Sequence, residues 1–252
     1  MIKLIMSGCN GKMGRVITRL VSENEEFKIV AGFDIVDTVS NDYPVYKNPN
    51  DSTEKADVII DFSHPNSLEK LLPFAVSRKL PIVVATTGLS HQQISKLRET
   101  ASNIPVFFSA NMSLGVNLLI DLVSRAAKLL EDSFDIEIIE KHHNQKIDAP
   151  SGTALAIADA ISSSLTQTRD YVYDRHSVRK KRGKNEIGIH AVRGGTIVGE
   201  HSVIFAGNDE IIEINHSAMS KEIFAVGALK AAKFLIGKKP GMYNMKDLVN
   251  SL

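Results

Sequence analysis

The sequence has 252 residues, of which 43% are hydrophobic and 23% are charged, as in an ordinary globular protein with a sizeable core. The formal net charge is +1, so no overall field favours nucleic acid or an anionic membrane. No apolar run approaches the roughly 18 residues of a membrane span, and the N-terminal run is too short for a secretory signal. One cysteine, Cys9, excludes an internal disulfide. We therefore expect a cytoplasmic protein that binds neither nucleic acid nor a membrane.

Strand-like and helix-like segments alternate through the first half of the chain. The predicted strands are residues 2–6, 27–34, 56–62, 80–88 and 104–110, and the predicted helices are residues 12–24, 67–79 and 90–102. Pro73 predicts a kink or an early stop in the second helix. Because the strands are nearly continuous runs of valine and isoleucine, the alternation predicts a parallel sheet that is covered on both faces.

The pattern changes after about Asn111. Residues 114–132 and 153–165 have helical periodicity, and residues 135–143 alternate like a half-exposed strand. Residues 186–218 read as antiparallel strands separated by glycine turns, and the chain then returns to a helix. We predict an α/β fold: a Rossmann-type parallel-sheet domain of residues 1–113 and 221–252, with an inserted α+β domain of residues 114–220.

A glycine loop joins the first predicted strand to the first helix. Gly8, Gly11 and Gly14 permit a tight turn and a close approach to a pyrophosphate, whose charge the helix N-terminus favours. The spacing G-x-x-G-x-x-G is less specific than the common G-x-G-x-x-G. Asp34 adds weight because it ends the second strand, where an acid meets the adenosine ribose. We predict dinucleotide binding here in preference to a tight turn and a surface aspartate.

Asp34 also bears on the choice of cofactor. A carboxylate at this position accepts hydrogen bonds from both ribose hydroxyls and repels a 2′-phosphate. The next residue is Ile35 and not an arginine that would neutralise the phosphate, although Lys12 and Arg15 lie close enough in sequence to reach it. We therefore expect NADH to be used well and NADPH to be accepted.

Two further segments follow predicted parallel strands at their carboxyl ends, where ligands bind to such sheets. They are "ATTG" at residues 85–88 and "SANMS" at residues 109–113. Their small and hydroxyl side chains allow a nicotinamide ring to lie close to the backbone, although ordinary strand-end turns are the alternative. Cys9, inside the glycine loop, is expected to be a small turn filler and not a redox group.

Three titratable nitrogens collect at the end of the strand at residues 135–143. His142 and His143 are adjacent and so should point to opposite faces of the strand. Together with Lys146 they are natural hydrogen-bond donors to a carboxylate, and each type can also transfer a proton. Two histidines beside Asp148 could also be zinc ligands, but adjacent histidines and a nearby lysine argue against it. We expect a substrate site and no metal.

A predicted helix start follows directly. Pro150 disfavours helix before it, and the Ser151 side chain can cap what comes after. Gly152 and Thr153 then present backbone N–H groups and a hydroxyl at the positive end of the helix. This arrangement is typical of an anion site.

With these residues considered together, the whole chain resembles the dihydrodipicolinate reductase family. The resemblance rests on "GCNGKMGR", "ATTG", "SANMSLGVN", "EKHHNQKIDAPSGTA", "VRGGTIVGEH", "ALKAAKFL" and "GMYNMKDL". It implies reduction of 4-hydroxy-tetrahydrodipicolinate to tetrahydrodipicolinate with NADH or NADPH, on the diaminopimelate route to lysine. It further implies a dinucleotide-binding first domain, a second domain that binds a small dicarboxylate substrate, and a homotetramer joined through the second domain's sheet.

The resemblance also implies roles for individual residues. His142 would be a proton donor or acceptor and Lys146 the proton donor, and which of the two delivers the proton is left open. The substrate would contact His143, Ser151, Gly152 and Thr153. The cofactor would be lined by Gly8, Cys9, Asn10, Gly11, Lys12, Met13, Asp34, Ala85, Thr86, Thr87, Ser109, Ala110, Asn111 and Met112.

Two other functions compete with this interpretation. Residues 175–184, "RHSVRKKRGK", are rich in basic side chains and could bind nucleic acid, but the near-neutral total charge favours a solvated loop. The closer rival is another two-domain dehydrogenase that acts on an amino acid or a semialdehyde.

Overall fold

The computed structural model describes residues 1–36 and 39–251. The chain divides into two compact units, which are Met1–Leu114 together with Glu222–Leu252, and Gly115–Lys221. Each unit has its own sheet and its own apolar core.

The strands and helices are distributed over three segments of the chain. The first segment contains β1 (Ile2–Ser7), α1 (Lys12–Ser22), β2 (Phe27–Phe33), β3 (Val45–Tyr46), β4 (Val58–Asp61), α2 (Leu68–Arg78), β5 (Ile82–Val84), α3 (His91–Ala101) and β6 (Pro105–Phe108). The middle segment contains α4 (Leu114–Leu130), β7 (Asp135–His142), α5 (Gly152–Ser164), β8 (Asp170–Val172), β9 (Glu186–Arg193), β10 (Gly199–Ala206) and β11 (Ile211–Ala218). The last segment contains α6 (Glu222–Leu235), β12 (Gly241–Tyr243) and α7 (Met245–Val249).

The first unit is built on a seven-stranded sheet with the order β12-β6-β5-β4-β1-β2-β3. Neighbouring strands in it run parallel. Strand side chains alternate between two apolar layers, so Leu4 and Met6 pack with α1 and α6, whereas Ile5 packs with α2 and α3. Both faces are therefore covered, which explains the unbroken valine and isoleucine runs. The predicted Rossmann-type parallel sheet is confirmed.

Helix α2 corrects one prediction. It contains Pro73 but continues to Arg78. The C-cap residue, Lys79, adopts a left-handed conformation with φ 53°. The expected early stop is therefore wrong. A proline inside a helix removes one backbone hydrogen bond and costs about 3 kcal/mol, but the flanking Leu72 and Phe74 are buried in the core. Burial of a helix face outweighs that local cost.

The second unit contains a five-stranded sheet with the order β11-β10-β7-β9-β8. Strands β10 and β11 pair antiparallel, as predicted, and β10 is also antiparallel to β7. Strand β9, by contrast, runs parallel to both of its neighbours, β7 and β8. The prediction of antiparallel strands is therefore wrong for residues 186–193. Strand β7 lies between β9 and β10, so the glycine pair that joins them does not close a hairpin.

The central strand β7 shows the predicted half-exposed pattern, with alternate residues buried. Ile136 and Ile138 face a core formed with α4 and α5. Because side chains alternate along a strand, Glu140 and His142 lie on this same covered face. The hydrophobic register of β7 therefore carries two polar side chains to the inside of the unit.

Gly227 in α6 gives a test of the packing in the first unit. A Cβ atom at this position would lie 1.7 Å from the carbonyl oxygen of Met112. Helix propensity alone favours Gly227→Ala by about 1 kcal/mol, whereas overpacking costs about 1–3 kcal/mol. Because the obstacle is backbone, we expect Gly227→Ala to lower the free energy of unfolding in urea titrations. Val226→Ala, an exposed change on the same helix, should stay within about 0.5 kcal/mol of the original. A Gly227→Ala variant at least as stable as the original would contradict the packing described.

Candidate active site

The glycine loop after β1 is shaped by close backbone contacts. Gly8 has φ +79°, and a Cβ atom on Gly14 would lie 2.1 Å from the Gly8 carbonyl oxygen. Helix α1 therefore packs directly against the loop, which only glycine at position 14 permits. Gly11 is the N-cap and offers no side chain to the first N–H groups of α1. The helix start can accordingly receive an anion.

Asp34 lies beside this loop, at the end of β2. Its Oδ2 atom accepts a hydrogen bond from the Asn10 N–H at 2.9 Å, and its Oδ1 atom accepts one from the Val36 N–H at 3.0 Å. Asp34 therefore holds the glycine loop as well as facing a cavity of about 560 Å³. Gly8, Gly11, Ile35, Lys47, His64 and Lys70 also line this cavity. An adenosine ribose that reached Asp34 would lie among these groups.

Cys9 and Lys12 take no part in lining that cavity. The Cys9 side chain is fully buried, and its burial, followed by the charge of Asp34, raises the thiol pKa to about 12. The thiol is therefore neutral and packed in the core, in agreement with a turn filler and in conflict with a side-chain contact to a cofactor. Lys12 is exposed at the start of α1.

A second cavity of about 330 Å³ lies in the same unit. Six of its lining residues were predicted from the sequence: Met13, Ala85, Thr86, Thr87, Ala110 and Met112. Phe62, Ser63 and Phe224 line it as well and were missed. Ser109 and Asn111 instead form a local turn, in which the Ser109 hydroxyl donates to the Asn111 carbonyl at 2.8 Å.

Asp61 is a buried carboxyl group whose two hydroxyl partners, Ser63 and Thr86, line the second cavity. The Thr86 and Ser63 hydroxyls each donate to it at 2.6 Å. Burial raises the pKa of Asp61 despite hydrogen bonds from Ser63, Thr86 and Ser7. Sequence reasoning missed this residue, although an aspartate that ends the run "VIID" is the available signal. When Asp61 is ionised, both hydroxyl protons are engaged with it, and the two hydroxyl oxygens are left to act as acceptors towards the cavity.

In the second unit, β7 ends at His142, and His143 follows directly outside the strand. His142 is buried and His143 is half-buried. The Nδ1 atom of His142 lies 2.6 Å from Oε2 of Glu140, which is fully buried. Sequence reasoning missed Glu140, although it stands two residues before His142 and so on the same strand face.

The loop after β7 carries Lys146 and leads into α5. The Lys146 ammonium pairs with Oδ1 of Asp148 at 2.8 Å, and this hydrogen bond lowers the pKa of the Asp148 carboxyl. The Lys146 N–H donates to the carbonyl of His143 at 3.2 Å, which ties the lysine to the strand end. A short local turn therefore holds the Lys146 backbone at the strand end, and Asp148 holds its ammonium.

Helix α5 begins at Gly152 with Ser151 as its N-cap. The Ser151 hydroxyl accepts a hydrogen bond from the Ala154 N–H at 3.2 Å, which is the cap predicted from the sequence. The N-terminal turn also contains Thr153, and a Cβ atom on Gly152 would meet nothing within 4 Å. There is accordingly space beside Gly152, and its backbone hydrogen bond contributes to the lowered pKa of the Asp148 carboxyl.

Much of the charge of residues 175–184 is compensated within the second unit. Arg175 and Lys180 pair with Glu186 at 2.8 and 3.1 Å, and Arg182 pairs with Glu137 at 2.9 Å. Hydrogen bonds from Arg175, then from Lys180, lower the pKa of Glu186 to about 2. These cations therefore hold the loop on the sheet, which weakens the nucleic-acid interpretation.

Neither a membrane-spanning helix nor a metal-binding cluster is found in the part of the chain that the structure describes. No helix within residues 1–36 and 39–251 is long and apolar enough to cross a membrane. In the same ranges, no group of three or more histidine, cysteine, aspartate or glutamate side chains is arranged to hold a metal ion.

Two family models together match nearly the whole chain. Residues 2–112 match the model for the N-terminus of dihydrodipicolinate reductase, and residues 115–249 match the model for its C-terminus. The chain is 59% identical over 249 residues to the 4-hydroxy-tetrahydrodipicolinate reductase of Caldanaerobacter subterraneus subsp. tengcongensis, covering 99% of this chain and 98% of that protein. The Clostridium tetani protein of the same name is 51% identical over 251 residues, covering 100% and 98% of the two chains.

Solved structures show the same relationship. A dipicolinate-bound dihydrodipicolinate reductase from Paenisporosarcina sp. TG-14 matches with a TM-score of 0.84 and 26% identity, covering 100% of both chains. A probable dehydrogenase from Thermotoga maritima, 10% identical with a TM-score of 0.62, covers 99% of this chain and 93% of that one, and shares the fold alone. The full-length sequence similarity, both family models and the fold agree, and the chain therefore belongs to the dihydrodipicolinate reductase family.

Proposed function

We propose that the protein reduces 4-hydroxy-tetrahydrodipicolinate to tetrahydrodipicolinate with NADH or NADPH, on the diaminopimelate route to lysine. One observation carries this proposal: His142, Lys146 and the N-terminus of α5 follow one another at the end of β7. Cationic or neutral donors beside a helix start suit a small dicarboxylate. The relatives that bear the reductase name match this chain over its full length.

The residues of the second unit divide the chemistry between them. The 4-hydroxyl of the substrate would leave as water to give a conjugated ring, to which NAD(P)H, when bound, would supply a hydride. Lys146 or His142 then gives a proton to the resulting enamine carbon, since each is a donor close to the same strand end. His143, together with Ser151, Gly152 and Thr153, holds the substrate carboxylates. Two carboxylates on the substrate account for the two kinds of anion-binding group in one segment.

The first unit is proposed to hold the dinucleotide. The pyrophosphate would lie on Gly8–Met13 at the start of α1, and the ribose of adenosine would reach Asp34. Lys47 and Lys70 line the same cavity, so a 2′-phosphate would meet positive groups as well as the carboxylate. This mixture supports the use of both NADH and NADPH. The nicotinamide would occupy the second cavity, which Thr86, Ala110 and Met112 line.

The organisation of the chain completes the proposal. Residues 1–113 and 221–252 form the dinucleotide-binding domain, and residues 114–220 form the substrate-binding and oligomerisation domain. The proposed assembly is a homotetramer in the cytoplasm, joined through the sheet of the second domain.

The reaction itself can be tested with substrate made in place by dihydrodipicolinate synthase. We expect oxidation of NADH and NADPH only when the synthase products are supplied. The loss of reduced-nicotinamide absorbance measures this oxidation. Amino acids and semialdehydes, the substrates of the rival dehydrogenase class, should give no oxidation. Oxidation with those compounds and none with the synthase products would reject the proposed function.

Lys146→Ala tests the proton donor. We expect kcat to fall by about 100-fold or more, the loss of a positioned general acid, while the Kd for NADH is unchanged. Lys141→Ala is the matched control, because Lys141 is the neighbouring lysine of β7 and pairs with Glu200 at 3.0 Å instead. Loss of NADH binding in Lys146→Ala would mean that the lysine serves the cofactor.

Asp34→Asn tests cofactor choice. Loss of a charge-assisted hydrogen bond to the ribose should weaken NADH binding by about tenfold, equivalent to about 1.4 kcal/mol, and should weaken NADPH binding less. Asp57→Asn is the control. Asp57 also accepts a hydrogen bond from a backbone N–H, that of Lys3 at 2.7 Å, but it lies at the amino end of β4, whereas Asp34 follows the carboxyl end of β2. Equal weakening of both cofactors in fluorescence titrations would show that Asp34 does not reach the ribose.

A further inference from the structure

Glu140 is a fully buried carboxylate with both oxygens occupied. Its Oε1 atom accepts hydrogen bonds from the Ser151 N–H at 2.9 Å and from Nη2 of Arg193 at 2.8 Å. Its Oε2 atom accepts from Nη1 of Arg193 at 2.8 Å and contacts Nδ1 of His142 at 2.6 Å. The arginine pair is therefore bidentate, which is the strongest geometry for such a contact. One side chain joins strand β7, strand β9 and the start of α5.

The surroundings of Glu140 keep it charged. Burial by itself would raise the pKa of this carboxyl, but hydrogen bonds from Arg193, His142 and the Ser151 N–H lower it below its usual value. An ionised carboxylate only accepts hydrogen bonds. The Nδ1 atom of His142 must therefore carry the hydrogen in this contact, and Nε2 is the nitrogen left for other chemistry.

The space around Nε2 of His142 is kept open on one side by Gly199. A Cβ atom at that position would lie 3.0 Å from Nε2. His201 packs edge-on against the ring, with centroids 5.3 Å apart. Burial, followed by the charge of His142, lowers the pKa of His201 to about 4. His201 is thus a neutral packing partner that contacts the Ser151 hydroxyl at 3.1 Å, and His142 is the histidine suited to proton transfer.

The same carboxylate also fixes the helix start. Ser151 is the N-cap of α5, and its N–H is bound by Glu140. Arg193, the ion-pair partner of Glu140, also donates to the carbonyl of Asp148 at 2.6 Å. Both ends of the segment between Asp148 and Ser151 are accordingly tied to one ion pair.

We propose that Glu140 is the positioning residue of the substrate site, setting His142 with Nε2 available and fixing the N-terminus of α5 beside it. Arg193 holds Glu140 in place. The activity readout of this proposal rests on the proposed function, whereas its tautomer readout does not. Substrate orientation would then depend on one buried side chain that does not itself touch the substrate.

Glu137 shows what a purely structural pair on the same strand looks like. It lies on the other face of β7 and pairs with Arg182 at 2.9 Å, Arg175 at 2.7 Å and His190 at 2.8 Å. It therefore matches Glu140 in charge, strand and types of partner, but none of these three partners is a proposed substrate residue. Glu137→Gln is the matched control.

The first test reads the tautomer of His142 by NMR on the intact protein with isotope-labelled histidine nitrogens. We expect the Nδ1–H form in the original protein and in Glu137→Gln. In Glu140→Gln, Arg193 and the Ser151 N–H donate to the amide oxygen, so the amide NH₂ faces Nδ1 of His142. Because NH₂ is a donor, Nδ1 then accepts, which favours the Nε2–H form. An Nε2–H form in the original protein, or no change in Glu140→Gln, would overturn the proposal.

The second test uses kinetics with the synthase-generated substrate. We expect Glu140→Gln to lower kcat by about 100-fold, as for loss of a positioned proton donor or acceptor, with the KM for NADH unchanged. Because the amide oxygen of Glu140→Gln still accepts from the Ser151 N–H and so keeps the start of α5 in place, its effect on kcat should run through His142. Adding Glu140→Gln to His142→Ala should therefore change kcat by less than about twofold. A loss of kcat in the double variant equal to the product of the two single losses would assign Glu140 a structural role and reject the proposal. An equal loss of kcat in Glu137→Gln would do the same.

Glu140→Asp covers the case in which Glu140→Gln does not fold. Aspartate keeps the charge opposite Arg193 but retracts it from His142 by one methylene, so we expect a folded protein with a similar loss of kcat. An Asp variant with the original kcat would overturn the proposal. Failure of the original protein to turn over the substrate would reject the proposed function instead, and the tautomer of His142 would still decide the positioning role.

Discussion

A buried carboxylate at the end of a strand organises each unit of this protein. Taking a carboxylate out of water is costly unless its oxygens accept hydrogen bonds, and strong ones. Two hydroxyl groups donate to Asp61 and offset only part of this cost, whereas an arginine, a histidine and a backbone N–H keep Glu140 ionised. The groups that bind the two carboxyls are thereby held in one orientation, and they lie in or beside the segments proposed to bind ligands.

The two carboxylates impose different chemistry on their surroundings. When ionised, Asp61 accepts hydrogen bonds from the Ser63 and Thr86 hydroxyls, so these two residues present oxygen acceptors to the second cavity. Glu140 accepts a hydrogen bond from Nδ1–H of His142, which leaves Nε2 for proton transfer. The first arrangement suits a bound group with N–H donors, and the second suits acid–base chemistry on a dicarboxylate. Both agree with membership of a family of reductases.

Several features were predictable because they depend on local chain chemistry. The parallel sheet follows from continuous apolar strands between amphipathic helices, and the Ser151 cap follows from residue type and position. Two predictions failed where packing over a distance decides. Helix α2 continues through Pro73 because its buried face outweighs one lost hydrogen bond. Strand β9 runs parallel to its neighbours because β7 is inserted between it and β10.

The sequence by itself determined the fold class, the family and the segments that carry the chemistry, because glycine spacing, strand composition and the histidine–lysine segment are local patterns. Only the tertiary structure decided which buried groups hold those segments. Glu140 and Arg193 are 53 residues apart in sequence, and His201 reaches Ser151 across a separation of 50. Such partners meet because strands from distant parts of the chain share one sheet, and sequence periodicity carries no information about which strands become neighbours.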